Sequence, residues 1–191
     1  LAARAIDRAW DRLQPAERAA LLEAALAHPN PNARDLFERF LPEDQRVKRL
    51  GVDIDPAEIL SMKGDAGRGS DVFFREDGAS CMNCHQVGGK GRDFGPDLSR
   101  IGEKYSRVRM LDAILNPNWT IHRDYVQHDV ETTEDDSYSG FIHSRDETQV
   151  VMRLPNDVKK FIPIKQLASL RPSQLSAMPR GLLQGLPAQD A

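Results

Sequence analysis

Cys81-Met82-Asn83-Cys84-His85 is the stretch on which the reading of this chain turns, because it holds both cysteines and sets a histidine directly behind them. C-x-x-C-H is the attachment pattern for c-type haem. The spacing follows from the chemistry. Two thiols on one tight turn reach the two vinyl groups of a porphyrin and form thioethers, and the next imidazole is held beneath the iron as its proximal ligand. Cys81, Cys84 and His85 are therefore the first cofactor-binding candidates, with His85 as an iron ligand. Three rival uses of the cysteines fit less well. Zinc would join Cys81 and Cys84 to His122 and His128, but the intervening stretch far exceeds the roughly 12–15 residues of a zinc finger, and there is no second C-x-x-C. A redox dithiol belongs at the end of a strand in a βαβ unit, and no such alternation surrounds this one. A disulfide across two intervening residues would be strained.

The 191 residues suffice for one sizeable domain or two small ones. A net charge of −3 makes no general case for nucleic acid as partner. No apolar run approaches the roughly 18 residues of a membrane span. The opening Leu1-Ala2-Ala3 has no Met, basic n-region or apolar h-region, so no signal peptide is expected there. It reads as the start of a mature product or of a piece excised from a longer protein.

Residues 1–60 read as helical. Ile6, Trp10 and Leu13 recur at helical spacing, Pro15 suits a first turn, and Glu17 to Ala27 continue. His28-Pro29-Asn30-Pro31 breaks the chain, Asn32 is placed to cap a short helix bearing Leu36, Phe37 and Phe40, and Pro42 breaks it again. This is a helical hairpin plus connector, without chemistry of its own. Gly64-Asp65-Ala66-Gly67-Arg68-Gly69 lacks the G-K-[ST] of a phosphate loop and reads as the entry to a helix from Ser70 to Arg75, with small residues that permit close approach to another helix. Gly88-Gly89-Lys90-Gly91 is a loop, and a helix runs from Glu103 to about Leu115, stopping at Asn116-Pro117. The pattern then changes. Tyr125 to Thr132, Tyr138 to His143, Thr148 to Leu154 and Lys160 to Ile164 are short β-branched and aromatic runs between turn-like segments. They predict a small antiparallel meander, about residues 122–167, inserted in a mainly α domain of residues 61–191.

The sixth iron position has one favoured occupant. Met178, in Ser176-Ala177-Met178-Pro179, lies in a non-helical tail after Pro172, and a thioether is a soft iron ligand. Met62, Met110 and Met152 sit within helical or strand patterns and read as core filler, while Met82 is inside the attachment turn. His122, His128 and His143 are rival ligands, although a lone His in such settings is usually a surface or hydrogen-bonded residue. Tyr105, Trp119, Tyr125 and Arg123 are donors suited to haem propionates, and ordinary core and surface duty serves each equally well.

In this order the features resemble the haem-binding domain of planctomycete and verrucomicrobial proteins, a variant of class I cytochrome c. The matching residues are Gly64-Asp65 with Gly69 and Phe73, Cys81 to His85, Gly95-Pro96-Asp97-Leu98, Ile114-Leu115-Asn116-Pro117, Tyr125, the β segment with Gly140, and Ser176 to Leu182. Coverage runs from about Val47 to Leu186. The resemblance implies a cytochrome c-like fold, one covalently attached haem c, His85 and Met178 as axial pair, and the Pro96 carbonyl orienting the His85 ring. It also implies an exported, periplasmic setting, since covalent haem attachment in bacteria occurs outside the cytoplasm, and a redox partner protein or fused dehydrogenase module. The family pattern continues past Gly185-Leu186 into a terminal helix, whereas this chain runs on as Pro187-Ala188-Gln189-Asp190-Ala191. A clipped helix, cover by the helices of residues 1–60, and an edge awaiting a partner are the three ways to account for that.

The expected function is single-electron transfer by an iron with both axial positions filled, a relay and not an enzyme. One rival is a haem enzyme or a sensor of peroxide or a diatomic gas, with an open or labile sixth position. Another is an interaction module with haem as a fold staple. Lys90, Arg92, Arg100, Lys104, Arg107 and Arg109 cluster in sequence and would steer an acidic partner, or else form a solvated face with Asp93, Asp97 and Glu103.

Overall fold

The computed structural model of the chain describes residues 2–28, 31–75 and 78–191. It divides into two compact units, residues 1–48 and 49–191. The division falls earlier than the boundary near residue 60 expected from sequence, because Ile54, Ile59 and Leu60 pack with the attachment region.

The first unit holds helices α1 (Ala2–Trp10), α2 (Pro15–Leu26) and α3 (Pro31–Glu38). Pro15 takes the first helical position, and the Gln14 amide donates to the Glu17 carboxylate at 2.7 Å. Trp10 stacks on Phe40 with centroids 4.0 Å apart and meets Phe37 at 6.5 Å, which fastens α1 to α3. α3 starts at Pro31, so Asn32 lies inside the helix rather than capping it. Pro29 and Asn30 of the expected break lie outside the described residues.

The second unit has two apolar cores that share no residue. Around the attachment turn, α4 (Pro56–Ser61), α5 (Ala66–Phe74) and α7 (Arg107–Leu115) contribute Ile59, Val72 and Leu111, joined by Ala79, Leu183 and Leu186. α5 begins four residues earlier than expected, because the Asp65 side chain accepts the Arg68 amide at 2.8 Å as an N-cap. No atom lies within 4 Å of a β-carbon built on Gly69, so the close helix approach expected there is not made. The helix expected from Glu103 is two helices, α6 (Ile101–Lys104) and α7, parted at Tyr105. Ser106 has extended backbone and caps α7 through Arg109. Among the described residues no α-helix follows α7, and a 3-10 turn, Ala188–Asp190, packs against α4 and α5. The Leu50 and Gly51 amides donate to the carbonyls of Leu186 and Gln184 at 2.9 and 3.0 Å, and Arg68 pairs with Asp190 at 2.9 Å, which ties this closing segment down.

The second core belongs to a five-stranded antiparallel sheet, in the order β6-β5-β4-β3-β7. Its strands are β3 (His128–Thr132), β4 (Ser137–Arg145), β5 (Gln149–Arg153), β6 (Lys159–Pro163) and β7 (Leu167–Pro172), and a short hairpin, β1 (Gln86–Val87) with β2 (Lys90–Gly91), precedes them. This corrects the small meander ending near residue 167. Helix takes 38% of the chain and strand 19%, so the mainly α reading holds only in part. Val130, Val150, Met152 and Ile162 form the core on one sheet face, with Val150 and Met152 at 0% exposure. β7 pairs with the outer edge of β3, with Pro172 opposite His128 at its end. That return carries the chain back toward residue 127, and the Ser173 amide donates to the Gln127 carbonyl at 2.8 Å.

Candidate haem site

The attachment turn is a single 3-10 turn, Cys81–Asn83, entered through Ser80 in left-handed conformation with φ of 49°. The Cys81 carbonyl accepts from the amides of Cys84 at 3.1 Å and His85 at 2.9 Å. This winding puts both sulfurs and the imidazole on one short piece of chain. Both thiols are free and half-buried. Burial pushes each above its ordinary value, helped at Cys81 by the nearby Cys84 and opposed at Cys84 by Arg92. A redox dithiol needs the opposite shift.

His85 is fixed by the loop downstream of it. Its Nδ1 lies 2.8 Å from the Pro96 carbonyl oxygen. A carbonyl only accepts, so the proton sits on Nδ1 and the Nε2 lone pair remains to ligate iron. The loop bearing Pro96 is tied to the attachment turn: the amides of Phe94 and Gly95 donate to the Cys84 carbonyl at 3.1 and 2.6 Å, and the Arg92 amide donates to the Met82 carbonyl at 2.9 Å. Gly88 and Gly89, with φ of 59° and 76°, close the β1–β2 turn that folds this loop back. The Gly88 amide donates to Ser99 Oγ at 2.7 Å, and Ser99 donates through its hydroxyl and its amide to Asp97.

Met178 is half-buried in an irregular segment. Its amide donates to Ser176 Oγ at 3.1 Å, and the Ser176 amide donates to Asn118 Oδ1 at 2.8 Å, anchoring the segment to the loop after α7. Gln127 Nε2 donates to the Leu175 carbonyl at 3.2 Å, so the sheet holds it as well. Among the rival histidines, His122 is exposed and its Nδ1 accepts from the Asp124 amide at 3.4 Å, and His143 Nε2 lies 3.4 Å from Lys159 Nζ. His128 Nδ1 is buried without a hydrogen bond. No group of three or more His, Cys, Asp or Glu among the described residues is arranged to hold a metal ion, so the four zinc candidates are not gathered.

Of the aromatic donors, Tyr125 meets Phe141 edge-on at 6.0 Å, and Phe141 meets Phe94 at 4.8 Å, which links Tyr125 to the Pro96 loop. Tyr105 ends α6 under Lys104, and Trp119 is 70% exposed after α7. Most of the basic cluster is engaged locally. Arg100 grips Glu103, Arg109 pairs with Asp112 at 2.5 Å, and Arg107 donates to the Met62 carbonyl. Arg153, Phe94, Phe141 and Asn118 escaped the sequence reading, since a strand Arg or a loop Asn carries no local signal of what it will meet.

Residues 66–149 match the family model described as Cytochrome c. The match begins with α5, includes the attachment turn and the Pro96 loop, and ends at the first residue of β5, before Met178. No curated protein matches the chain. The match is to a cytochrome c domain, which implies covalently attached haem c with its iron. The residues present fit the group: two free thiols on one turn, and an imidazole whose tautomer presents Nε2.

Proposed function

We propose that residues 49–191 carry one haem c and pass single electrons between protein partners, with His85 and Met178 as the axial ligands. The observation that carries this reading is the Nδ1–H of His85 held by the Pro96 carbonyl, directly behind the two thiols. Bound iron supplies a reversible one-electron change between its ferrous and ferric states. Cys81 and Cys84 fix the porphyrin, and the Pro96 carbonyl strengthens His85 as a donor by drawing on its second nitrogen. Met178 lies on a segment anchored at Asn118 and Gln127, suited to holding a thioether in place. With both axial positions filled, no place remains for a substrate, so the domain is a relay rather than an enzyme.

The finer resemblance, to the planctomycete and verrucomicrobial type with its β insertion, belongs to the same proposal. So do an exported location and a redox partner protein or fused dehydrogenase module. No helix among the described residues is long and apolar enough to cross a membrane.

The test is visible absorption of the purified protein, oxidised and reduced, with a pyridine haemochrome. A c-type spectrum with the weak far-red band of ferric iron bound by a thioether supports the relay. A c-type spectrum without it, with high-spin features that shift on adding CO, favours a sensor or enzyme. A low-spin spectrum lacking the band points to histidine, with His128, whose buried Nδ1 makes no hydrogen bond, as the first candidate. Protein made with haem-maturation machinery yet colourless sinks the haem reading.

A further inference from the structure

Arg153 ends β5 on the sheet face that bears its cross-strand partner Phe141, opposite the face that builds the sheet core. Its guanidinium carbon lies 5.7 Å from the ring centroids of both Phe94 and Phe141. Nη1 donates to the Asp93 carbonyl, Nη2 donates to the Phe94 carbonyl at 3.3 Å, and the Asp93 carboxylate stands 3.8 Å away. These two carbonyls belong to the residues just ahead of Gly95-Pro96. The amides of Phe94 and Gly95 bond in turn to the Cys84 carbonyl. The segment is thus held between a fork from the sheet and the attachment turn. Gly95 leaves it no slack, since a β-carbon there would come within 2.7 Å of His85 Cε1.

We propose that Arg153 is a positioning residue for the proximal ligand, setting how closely the Pro96 carbonyl holds the His85 Nδ1–H and thereby the reduction potential of the iron. The inference rests on His85 as iron ligand. A firm hydrogen bond at Nδ1 makes Nε2 a stronger donor and favours ferric iron, so loosening it raises the potential. The guanidinium charge acts oppositely, because positive charge favours ferrous iron and its loss lowers the potential. Lysine separates the two effects: it keeps the charge and loses the planar fork that gathers two carbonyls.

The experiment compares full-length haem-loaded wild type, R153K and R153M by pyridine haemochrome, redox titration and NMR exchange of the His85 Nδ1 proton. All three should attach haem. R153K should show a higher potential than wild type and Nδ1–H exchange roughly tenfold faster, with β3–β4 amides unmoved. R153M should match its exchange rate with a smaller rise in potential. R153K with wild-type potential and exchange overturns the inference, as does a lowered potential in R153M with exchange unchanged, which would mean charge alone. If neither variant folds, the wild-type protein decides. Slow, hindered rotation of the Arg153 guanidinium supports the fork, and free rotation overturns it. Wild type without covalent haem would sink the haem reading and this inference together, whereas loaded but unresponsive variants sink the inference alone.

Discussion

Gly95 sits against His85 so closely that a single added methyl would meet the imidazole edge, 2.7 Å from Cε1 and 2.9 Å from Nδ1. The hydrogen bond from His85 to Pro96 depends on that closeness. Gly95→Ala should push the loop off the ring and cost about 1–3 kcal/mol of stability, the usual penalty of overpacking. Thermal unfolding of the haem-loaded variant checks this, with a raised reduction potential as the accompanying sign. An unchanged melting temperature and potential would show that the loop yields without cost.

Met178→Ala should leave haem attached and open the sixth position. The far-red band would disappear, CO would bind to protein that excluded it before, and cyanide would bind much faster than to wild type. Titration with CO, followed in the visible spectrum, gives the answer. A variant that keeps the wild-type spectrum would transfer the ligand role elsewhere, His128 first.

Asn118 holds the Met178 segment at one remove, through the Ser176 amide. Asn118→Ala should therefore loosen the ligand without removing it. The lost hydrogen bond, worth about 1 kcal/mol, should speed cyanide binding roughly fivefold while the resting spectrum stays low-spin. Stopped-flow mixing measures the rate, and an unchanged rate would mean that Gln127 alone suffices.

Asp97 gives the Pro96 loop a pH dependence. Hydrogen bonds from the Ser99 hydroxyl and then its amide hold the carboxyl below its ordinary 3.8. A depressed folded-state value means that the ionised carboxylate stabilises the fold above pH 3.8, and that this contribution is lost as pH falls through the lower folded value. NMR titration of the Asp97 carboxyl, with the Gly88 amide as reporter, should give a midpoint below 3.8, and Asp97→Asn should abolish it. A midpoint at 3.8 or above would show that the Ser99 contacts do not persist in solution.

Met152 is wholly buried at the centre of the sheet core. Met152→Ala should cost about 2–5 kcal/mol through lost burial and the cavity left behind. The same variant reports on the link between the sheet and the site, because β7 and Gln127 lead to Met178. Partial loss of the far-red band before global unfolding is the expected signature, while simultaneous loss of both would indicate one cooperative unit.

Much of this protein is legible in its sequence because the informative chemistry is local. The C-x-x-C-H turn is set by five adjacent residues, and helices bearing Val72 and Leu111 follow from local sequence, although their starts at the Asp65 and Ser106 caps escaped it. The first four strands of the large sheet follow from β-branched and aromatic runs between turn-like segments. Other features required the folded chain. β7 has a weak pattern and ends in Pro172, and it becomes a strand because the edge of β3 supplies hydrogen-bond partners from some forty residues upstream. The break between α6 and α7 lies in Lys104-Tyr105-Ser106-Arg107, which holds no proline or glycine to mark it, and it becomes visible only in the backbone at Tyr105 and Ser106. Arg153 lies 60 residues from Asp93 in sequence, and no local rule pairs a strand guanidinium with that carbonyl. Sequence by itself determined the haem-attachment turn, since thioether and imidazole geometry fit within one turn of chain. Only the tertiary structure decided what holds His85 and Met178, because those hydrogen bonds join segments that lie apart in sequence and meet only in the folded chain.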